Sequence, residues 1–421
     1  MIFEKDTSLY YVLGLLNSKV AQYLVPMLNP TLSLQIGDVS SLPFIYNDKY
    51  SDDIDRLIIE NIDLARDDWN ESETSWDFKR HPLVFLSENS IKQLKFQHIN
   101  TQMRKSSKLE YQYEDWKKSK FNRFNKLKRN EEELNSIFIN IYSLQKELSP
   151  NESDLDVTVQ TAKLIRDIRA LLSYAVGCMF GRYSLDVDGL AYAGGDWDAN
   201  KYSTFIPDAD NVIPITDEDY FDDDIVGLLI QWLKKVYGED TLEENLDFIA
   251  KALGNKGNTS REIIRNYFLT DFFKDHCQTY SVTGSGKRPI YWLYDSGKQN
   301  GFKALIYMHR YNEDTTGVVR VKYLHRMEQI YMSEIDRMQD MMDHSKSAHD
   351  VSVASKRKEK LQKQLKECKD YDEKISHLAL DRIAIDLDDG VKVNYRKVQT
   401  GSDGKFYEVL ADSKNIMAKE R

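Results

Sequence analysis

The sequence predicts a mainly α-helical protein with small β elements, an α+β fold class. Apolar residues recur every three or four positions over several long stretches, which is the period of an amphipathic helix. Two short apolar runs, residues 289–294 and 302–308, flank a turn rich in glycine and asparagine and predict a β-hairpin. A chain of 421 residues is long enough for about two to four domains.

The first segment, residues 1–45, is predicted to be an incomplete unit. Residues 10–28 have helical spacing, and an extended stretch over residues 32–36 with a turn at Gly37-Asp38 follows. A strand that has no partner strand in its own segment cannot form a stable sheet. The rest of that sheet is therefore expected upstream of Met1.

Three further segments complete the predicted organisation. Residues 46–150 alternate polar and apolar positions at helical spacing and predict a helical spacer. Residues 151–315 predict a mixed helical domain, in which residues 225–310 have the order helix, turn, helix, hairpin of a winged-helix-like module. Its helices are predicted over residues 225–237 and 242–253, with a third that begins at a Thr259-Ser260 cap. Residues 316–421 predict an antiparallel helical hairpin and a short β-hairpin that turns at Asp389-Gly390.

Composition excludes several classes of protein. The sequence contains no run of about 18 apolar residues, and its start lacks the basic-then-apolar order of a signal peptide, which predicts a cytoplasmic protein without membrane contact. The three cysteines are far apart and support neither a disulfide framework nor a zinc site. The net charge of −10 means that any contact with nucleic acid must come from local basic patches.

Neither catalytic residues nor cofactor-binding residues are predicted. An amino-methyltransferase needs a glycine-rich loop for its cofactor and an Asn/Asp-Pro-Pro-aromatic motif for the target base, and Asn29-Pro30 matches only two letters of that motif. Gly284-Ser285-Gly286-Lys287 lacks the first glycine of a phosphate loop, and Arg288 stands where Ser or Thr is required. That stretch predicts a flexible basic loop in front of the hairpin.

No metal site is predicted. Residues 184–189 begin like a calcium loop, but Gly195 stands where the bidentate Glu is required. The acidic run over residues 208–224 could hold a divalent cation, although a solvated loop is the favoured interpretation. The eight histidines contain no His-Glu-x-x-His pattern and stand in no recognisable nucleophile motif.

The first candidate surface for nucleic acid lies on residues 116–129. This stretch combines seven cations with three aromatic residues and contains no acid, so that one face could follow a row of phosphates. An equally weighted alternative is a solvated helix face balanced by Glu131-Glu132-Glu133. The candidate contacts are Lys117, Lys118, Lys120 and Arg123.

The second candidate surface surrounds the predicted hairpin. A wing of this kind lies along a DNA backbone, where cations position the protein without reading the sequence. The candidate contacts are Lys287, Arg288, Lys298, Lys303, His309 and Arg310.

Several segments, in the same order, resemble one known family. Residues 13–43 resemble the last elements of the target recognition domain in restriction-modification proteins. Residues 71–83, 132–142, 173–186 and 287–310 resemble the C-terminal half of BREX phage-defence adenine-specific DNA methyltransferases of the PglX type. Related type IIG restriction-methylation enzymes share several of these segments.

The resemblance implies a reaction and a set of partners. The family transfers a methyl group from S-adenosylmethionine to N6 of adenine in a short non-palindromic site. The partners expected here are double-stranded DNA, a catalytic methyltransferase portion or subunit, and other defence-system proteins. Because the catalytic and cofactor motifs are missing, this chain is expected to bind no S-adenosylmethionine and to be inactive alone.

Three functions therefore stay open at the level of sequence. The favoured one is the DNA-gripping, complex-forming part of such a methyltransferase. The others are a free-standing DNA-binding or scaffold protein, and an acidic protein-interaction module that does not bind DNA.

Overall fold

The structure is a computed structural model that describes residues 8–31, 33, 35–84, 108–254, 257–283 and 286–417. Its contacts divide the chain into two compact units. Unit 1 comprises Met1–Phe78 and Tyr113–Lys163, and unit 2 comprises Lys79–Gln112 and Leu164–Arg421. The predicted α+β class is confirmed, because helices predominate and the sheets are small. The four predicted segments stay a prediction.

Unit 1 is built from helices. They are α1 (Leu9–Asn17), α2 (Lys19–Leu28), α3 (Ile36–Ser40), α4 (Asp48–Asn70) and α5 (Leu109–Ile141), whose residue range crosses the division between the units at Gln112. Its main core contains Tyr11 from α1, Ile54 from α4 and Phe138 from α5, all of them fully buried. The long helices of the predicted spacer are thus present in the described residues.

The predicted single helix over residues 10–28 is two helices that meet at Ser18. The Ser18 hydroxyl donates to the Leu15 carbonyl at 2.7 Å and accepts the Ala21 N–H at 3.4 Å, so that it ends α1 and caps α2. The next backbone N–H, that of Lys19, donates to the Asn135 side chain at 2.9 Å. The helical spacing of apolar residues could not reveal this break, because that spacing continues from the first helix into the second.

The predicted strand over residues 32–36 is wrong for the residues that can be described. Leu32 and Leu34 lie outside the described residues, and Ile36 begins α3. The Asp38 carboxylate accepts the Gln35 N–H at 2.8 Å and an Asn29 side-chain N–H at 2.6 Å. Gly37-Asp38 therefore forms the first turn of a helix, because the Asp38 side chain satisfies a backbone donor at its start.

Unit 2 contains ten helices and five short strands among its described residues. The helices are α6 (Leu164–Met179), α7 (Ile225–Tyr237), α8 (Leu242–Leu253), α9 (Ser260–Thr270), α10 (Phe272–Thr279), α11 (Thr315–Val318), α12 (His325–His344), α13 (Ala348–Asp381), α14 (Val391–Lys397) and α15 (Ser413–Ile416). The strands are β1 (Ile213–Pro214), β2 (Ser281–Val282), β3 (Gly286–Lys287), β4 (Tyr291–Asp295) and β5 (Lys303–Tyr307).

The predicted β-hairpin is confirmed as β4 and β5. The two strands are antiparallel with Leu293 opposite Leu305, and β1 pairs with the other edge of β5, where Ile213 faces Leu305. Every residue of β5 is buried. The two strands are therefore part of the core, whereas Lys298 in the turn between them is exposed, and the DNA contact predicted for this hairpin stays a prediction.

The helical part of the prediction in unit 2 is largely confirmed. α7 and α8 have the predicted bounds, and the Thr259 side chain accepts the Glu262 N–H to cap α9 as expected. The C-terminal helical hairpin is α12 and α13, with His325 Nε2 at 3.0 Å from Asp372 Oδ1 near one end. Lys358 bonds Gln339 near the other end, so that the two helices are antiparallel.

The β-hairpin predicted at Asp389-Gly390 is wrong. Leu387–Asp389 is a 3-10 turn, and α14 follows directly after Gly390, which has φ +80°. Tyr395 on α14 is fully buried and packs edge-on against Trp292, with 5.4 Å between the ring centroids. The alternating sequence pattern was overridden by the burial of one helix face.

The longest helices are α5 and α13, with 33 and 34 residues, and both carry many charged side chains. Within the described ranges, no helix combines the length and the apolar character that crossing a bilayer requires.

Candidate nucleic-acid interface

Two of the four candidate cations on α5 are held in internal ion pairs. Lys120 is 5% exposed, and its Nζ lies 2.6 Å from Asp68 Oδ1 and 3.0 Å from Glu71 Oε2. Arg123 donates to Glu71 Oε1 at 2.9 Å. Both acids lie at or just beyond the end of α4. A phosphate contact by Lys120 or Arg123 would have to break these pairs, so their placement argues against it.

The other two candidates on α5 are exposed. The Lys117 and Lys118 side chains are 51% and 73% exposed, and each pairs with an acid one turn earlier, Glu114 at 3.2 Å and Asp115 at 3.4 Å. Exposed pairs at this spacing are weak and easily exchanged. The DNA contact predicted for these two lysines stays a prediction.

The cations of the predicted wing are scattered among different environments. Lys303 is 8% exposed, with its Nζ 3.1 Å from Asp295 Oδ2 and 3.3 Å from the Leu269 carbonyl oxygen. Lys287 pairs with Asp412 at 2.6 Å. Lys298, in the turn between β4 and β5, and Arg288, after β3, have exposed side chains. Only the exposed members of this set remain candidates for phosphate contact.

Arg310 and His309 also have structural surroundings. The Arg310 guanidinium donates to the carbonyl oxygens of Phe180, Asp208 and Ala209 at 2.8 to 3.2 Å and lies 4.5 Å from the centre of the Trp197 ring. Burial lowers the pKa of His309 to about 4, and the nearby positive charge of Arg182 adds to the shift. His309 is therefore neutral at pH 7 and cannot act there as a cationic phosphate contact.

The structure adds Arg182, which was not among the sequence candidates. It follows Gly181, whose φ of +77° ends the turn after α6. Arg182 is only 9% exposed, and its Nε and Nη1 atoms donate to the hydroxyls of Tyr183 and Tyr307, each at 3.2 Å. Its guanidinium also lies 5.3 Å and 5.9 Å from the ring centres of Tyr183 and Tyr280.

No carboxylate among the described residues pairs with Arg182, and its Nη2 has no partner there. Buried cations are rarely left without an acid, because removing a charge from water is costly. Tyrosine rings and hydroxyls supply part of the compensation through their π faces and oxygens. Arg182 thus keeps a positive charge that pairs with no acidic residue in the part of the chain that the structure describes.

A buried histidine stands beside the same tyrosines. His276 Nε2 accepts the backbone N–H groups of Ile290 and Tyr291, each at 3.0 Å, which assigns the ring proton to Nδ1. That Nδ1 atom is buried and has no partner in the described chain. Burial lowers the pKa of His276 to about 3, and the charge of Arg182 acts in the same direction.

We define the Arg182 centre as Arg182, Tyr183, His276, Tyr280 and Tyr307. Its Arg182 carries a positive charge that pairs with no acid in the described ranges, and its neutral His276 has an N–H without a partner there. Such a set can accept an anion. The sequence signal was weak: Gly181-Arg182-Tyr183 lies inside a segment that resembled the family, but nothing local shows that the acid is missing.

The acidic run is only partly solvated: Glu218, Asp219 and Asp222 are exposed, but the expectation of a solvated loop is wrong for its buried members. Asp224 is fully buried and lies 2.7 Å from Arg265 Nη1, and Asp217 lies 3.0 Å from Arg357 Nη1. Burial and the neighbouring Asp210 raise the pKa of Asp208 to about 7. No group of His, Cys, Asp and Glu in the described part of the chain is arranged to hold a metal ion.

The similarity to a calcium loop also has a structural explanation. The Asp186 carboxylate accepts the backbone N–H groups of Ser203 and Thr204 at 2.7 and 2.9 Å. Asp188 pairs with Arg80 at 3.2 Å. These oxygens tie neighbouring segments of unit 2 together.

Comparison with known proteins gives two close relatives, although no family model matches the chain. The chain is 43% identical over 402 residues to the adenine-specific methyltransferase PglX of Lacticaseibacillus casei (strain Zhang). The aligned region covers 94% of this chain and 32% of that protein. It is 34% identical over 444 residues to the adenine-specific methyltransferase BrxX of Escherichia coli O9:H4 (strain HS), covering 98% of this chain and 33% of that protein. The chain spans about a third of the length of these curated relatives. The resemblance predicted from the sequence is confirmed: the chain is homologous to a part of the adenine-specific methyltransferases PglX and BrxX.

Proposed function

We propose that this chain is the C-terminal, DNA-gripping and complex-forming part of a site-specific adenine-N6 DNA methyltransferase of a BREX phage-defence system. The observation that carries the proposal is the similarity to PglX and BrxX, which runs along nearly the whole chain but spans only about a third of each relative. S-adenosylmethionine and the chemical step then belong to a catalytic portion or subunit. The complex works in the cytoplasm together with other defence-system proteins.

The proposed grip on DNA depends on few cations. The net charge of −10 is unfavourable for DNA, so local positive groups must carry the contact. Lys117, Lys118 and Lys298 are exposed, and the charge of Arg182 pairs with no acid in the described ranges. α13 adds further exposed lysines that were not chosen from the sequence, among them Lys356 and Lys366.

The proposed contact with the catalytic portion uses an apolar surface in unit 1. Leu9, Met27 and Ile36 are 64%, 62% and 73% exposed, and they lie on the consecutive helices α1, α2 and α3. We call this set the apolar face. α1 contacts α2 and α2 contacts α3, and exposed apolar side chains on adjoining helices are typical of protein–protein contacts. The remaining two thirds of a relative's length supply a partner of the required kind.

Methyl transfer in a reconstituted system tests the proposal. The 421-residue chain, the remaining two thirds of a PglX-type methyltransferase, and the two together are each incubated with duplex DNA and labelled S-adenosylmethionine. Site-specific incorporation is expected only when both are present. Incorporation by this chain alone, or site-specific incorporation by the catalytic portion alone, would contradict the proposal.

A second candidate function is an acidic protein-interaction module that does not bind DNA. It is favoured by the internal ion pairs of Lys120, Arg123 and Lys303, which remove three of the ten predicted contacts from solvent. Binding of the 421-residue chain to duplex DNA over a range of salt concentrations separates the candidates. DNA grip predicts a log–log salt slope of about −0.9 for each phosphate contacted, and loss of about one contact in Lys298→Ala. No binding at low salt, with the catalytic portion still bound, would favour the interaction module.

A further inference from the structure

Arg182 is a buried cation of unit 2 that has no acidic partner among the described residues. Arg265 offers a comparison: it is also buried, with 8% exposure, and it forms an ion pair with Asp224 at 2.7 Å. Arg182 is buried to a similar degree but meets only tyrosine hydroxyls and rings. A cation that serves only packing would gain from an acid beside it. The missing counter-charge therefore points to a ligand.

We propose that the Arg182 centre binds a single phosphate group. The proposal rests on the proposed function in one respect, since it takes the phosphate from the backbone of the duplex DNA. It assigns a binding role to residues that neither the sequence candidates nor the names of the relatives indicate.

Arg182 has hydrogen-bond donors left over for an anion with several acceptor oxygens. Arg182 Nη2 has no partner in the described chain, and Nη1 uses only one of its two hydrogens on Tyr307. A guanidinium can meet two oxygens of one phosphate with parallel hydrogen bonds, which a lysine cannot do. The Nδ1–H of His276, whose ring centroid lies 4.8 Å from that of Tyr280, is a further donor with no partner among the described residues.

The tyrosines hold the guanidinium in place before any ligand arrives. The Tyr307 hydroxyl donates its hydrogen to the Tyr192 carbonyl at 3.0 Å. Its oxygen is thereby oriented to accept the hydrogen bond from Arg182. The Arg182 carbonyl oxygen accepts the Ala191 N–H at 2.9 Å, so that the backbone is tied as well. A side chain oriented in advance loses little conformational entropy on binding.

The first experiment is a titration of the 421-residue chain with inorganic phosphate, followed by thermal unfolding and calorimetry. Sodium chloride keeps the ionic strength constant. Wild-type protein is expected to show a saturable rise in Tm and a measurable Kd. Absence of a saturable response in wild type would overturn the proposal without any variant.

Variants then locate the site. Arg182→Lys keeps the charge but loses the pair of parallel donors of the guanidinium, and Arg182→Gln loses both the charge and that pair. Each variant is expected to bind phosphate about 10- to 100-fold more weakly, which is the effect of one lost charge-assisted hydrogen bond. The matched control is Arg129→Gln, which removes an exposed arginine of unit 1. Equal weakening in the control, or full affinity in a folded Arg182→Lys, would overturn the assignment.

The source of the phosphate is tested with two ligands, a duplex without terminal phosphates and a free adenine mononucleotide. Dependence of duplex binding on Arg182 supports a backbone phosphate. Dependence of mononucleotide binding alone would keep the phosphate site but reject the DNA source.

If wild type binds phosphate through Arg182 and the reconstituted methylation fails, the proposed function fails and the site survives. If methylation succeeds and Arg182 variants bind phosphate and DNA as wild type does, only this inference fails.

Discussion

The Nζ atom of Lys120 lies 2.6 Å from the Oδ1 atom of Asp68, and the Lys120 side chain is almost fully buried. Glu71 Oε2 approaches the same nitrogen at 3.0 Å. The most basic stretch of the chain, residues 116–129, is therefore partly an internal counter-charge for the end of α4. A basic segment cannot be assigned to DNA until its acidic neighbours in space are known.

Replacing Lys120 is expected to destabilise unit 1. Lys120→Ala removes the cation nearest to Asp68 and leaves Asp68 and Glu71 with Arg123 at 3.6 Å and 2.9 Å, at a cost of about 1–3 kcal/mol in the free energy of unfolding. Lys118→Ala, on the exposed side of α5, is the control and should change that free energy by less than about 0.5 kcal/mol. Urea denaturation followed by circular dichroism measures both. Unchanged stability of Lys120→Ala together with weaker DNA binding would return Lys120 to the interface.

The stability of unit 1 is expected to fall as the pH rises through the neutral range. Burial raises the pKa of Glu131 from 4.5 to about 7, and the negative charges of Glu152 and Asp156 add to the rise. A raised carboxyl pKa means that the folded state binds more protons than the unfolded state between about pH 4.5 and 7. The protonated Glu131 side chain therefore contributes its full free energy of unfolding below about pH 4.5, and this contribution is lost as the pH rises through about 7.

Glu131 lines a cavity of about 330 Å³ in unit 1 together with Asn17, Asn135, Glu152 and Asp156. Glu131→Gln keeps the shape and removes the titrating group, so that its urea midpoint at pH 8 should exceed that of wild type. The change in midpoint between pH 5.5 and pH 8 should also shrink. Glu133→Gln, on the same helix, is the control. An unaltered pH dependence in Glu131→Gln would show that another group is responsible.

Two glycines of unit 2 should respond to alanine in opposite ways. A Cβ atom at Gly177 on α6 would overlap the buried ring of Tyr183 and lie 3.1 Å from the Tyr291 hydroxyl. Gly177→Ala is expected to cost about 1–3 kcal/mol, as overpacking does, and to disturb the Arg182 centre. Gly227 on α7 has only an ordinary contact at 3.9 Å, so that Gly227→Ala should be neutral or stabilise by about 0.5–1 kcal/mol. Thermal unfolding compares the two; equal effects would contradict the packing argument.

The apolar face should matter for assembly and little for folding. Met27→Asp and Ile36→Asp place charges on exposed positions, and each should alter the free energy of unfolding by less than about 0.5 kcal/mol. Both should weaken association with the catalytic portion, because a charge would be buried in an apolar contact. Size-exclusion chromatography of the mixture measures association, and Leu155→Asp, on another exposed part of unit 1, is the control. Normal association of both variants would remove this surface from the interface.

Local signals were enough to predict much of the architecture. The bounds of α7 and α8, the Thr259 cap of α9, the hairpin of β4 and β5, and the pairing of α12 with α13 all follow from patterns within a few residues or one repeat. Segments whose local pattern conflicted with packing were predicted wrongly. α3 and α14 are the examples, because the Asp38 cap and the buried Tyr395 ring decide their conformation.

The candidate site was harder to predict than the fold. Lys303 and Arg310 have the same local appearance as Lys298, but the first two are held by Asp295 and by backbone carbonyls from distant segments. The importance of Arg182 comes from the lack of an acidic partner for it among the described residues. Neither kind of fact is written in the residues next to the side chain concerned.

By itself, the sequence determined the α+β class, the amphipathic helices and the homology to part of an adenine-specific methyltransferase, because periodicity, caps and family motifs are properties of neighbouring residues. Only the tertiary structure decided which charges are free. The energy of a charge depends on burial and on partners that the fold brings from far along the chain. Asp68 meets Lys120 in this way, whereas Arg182 meets no acid among the residues that the structure describes.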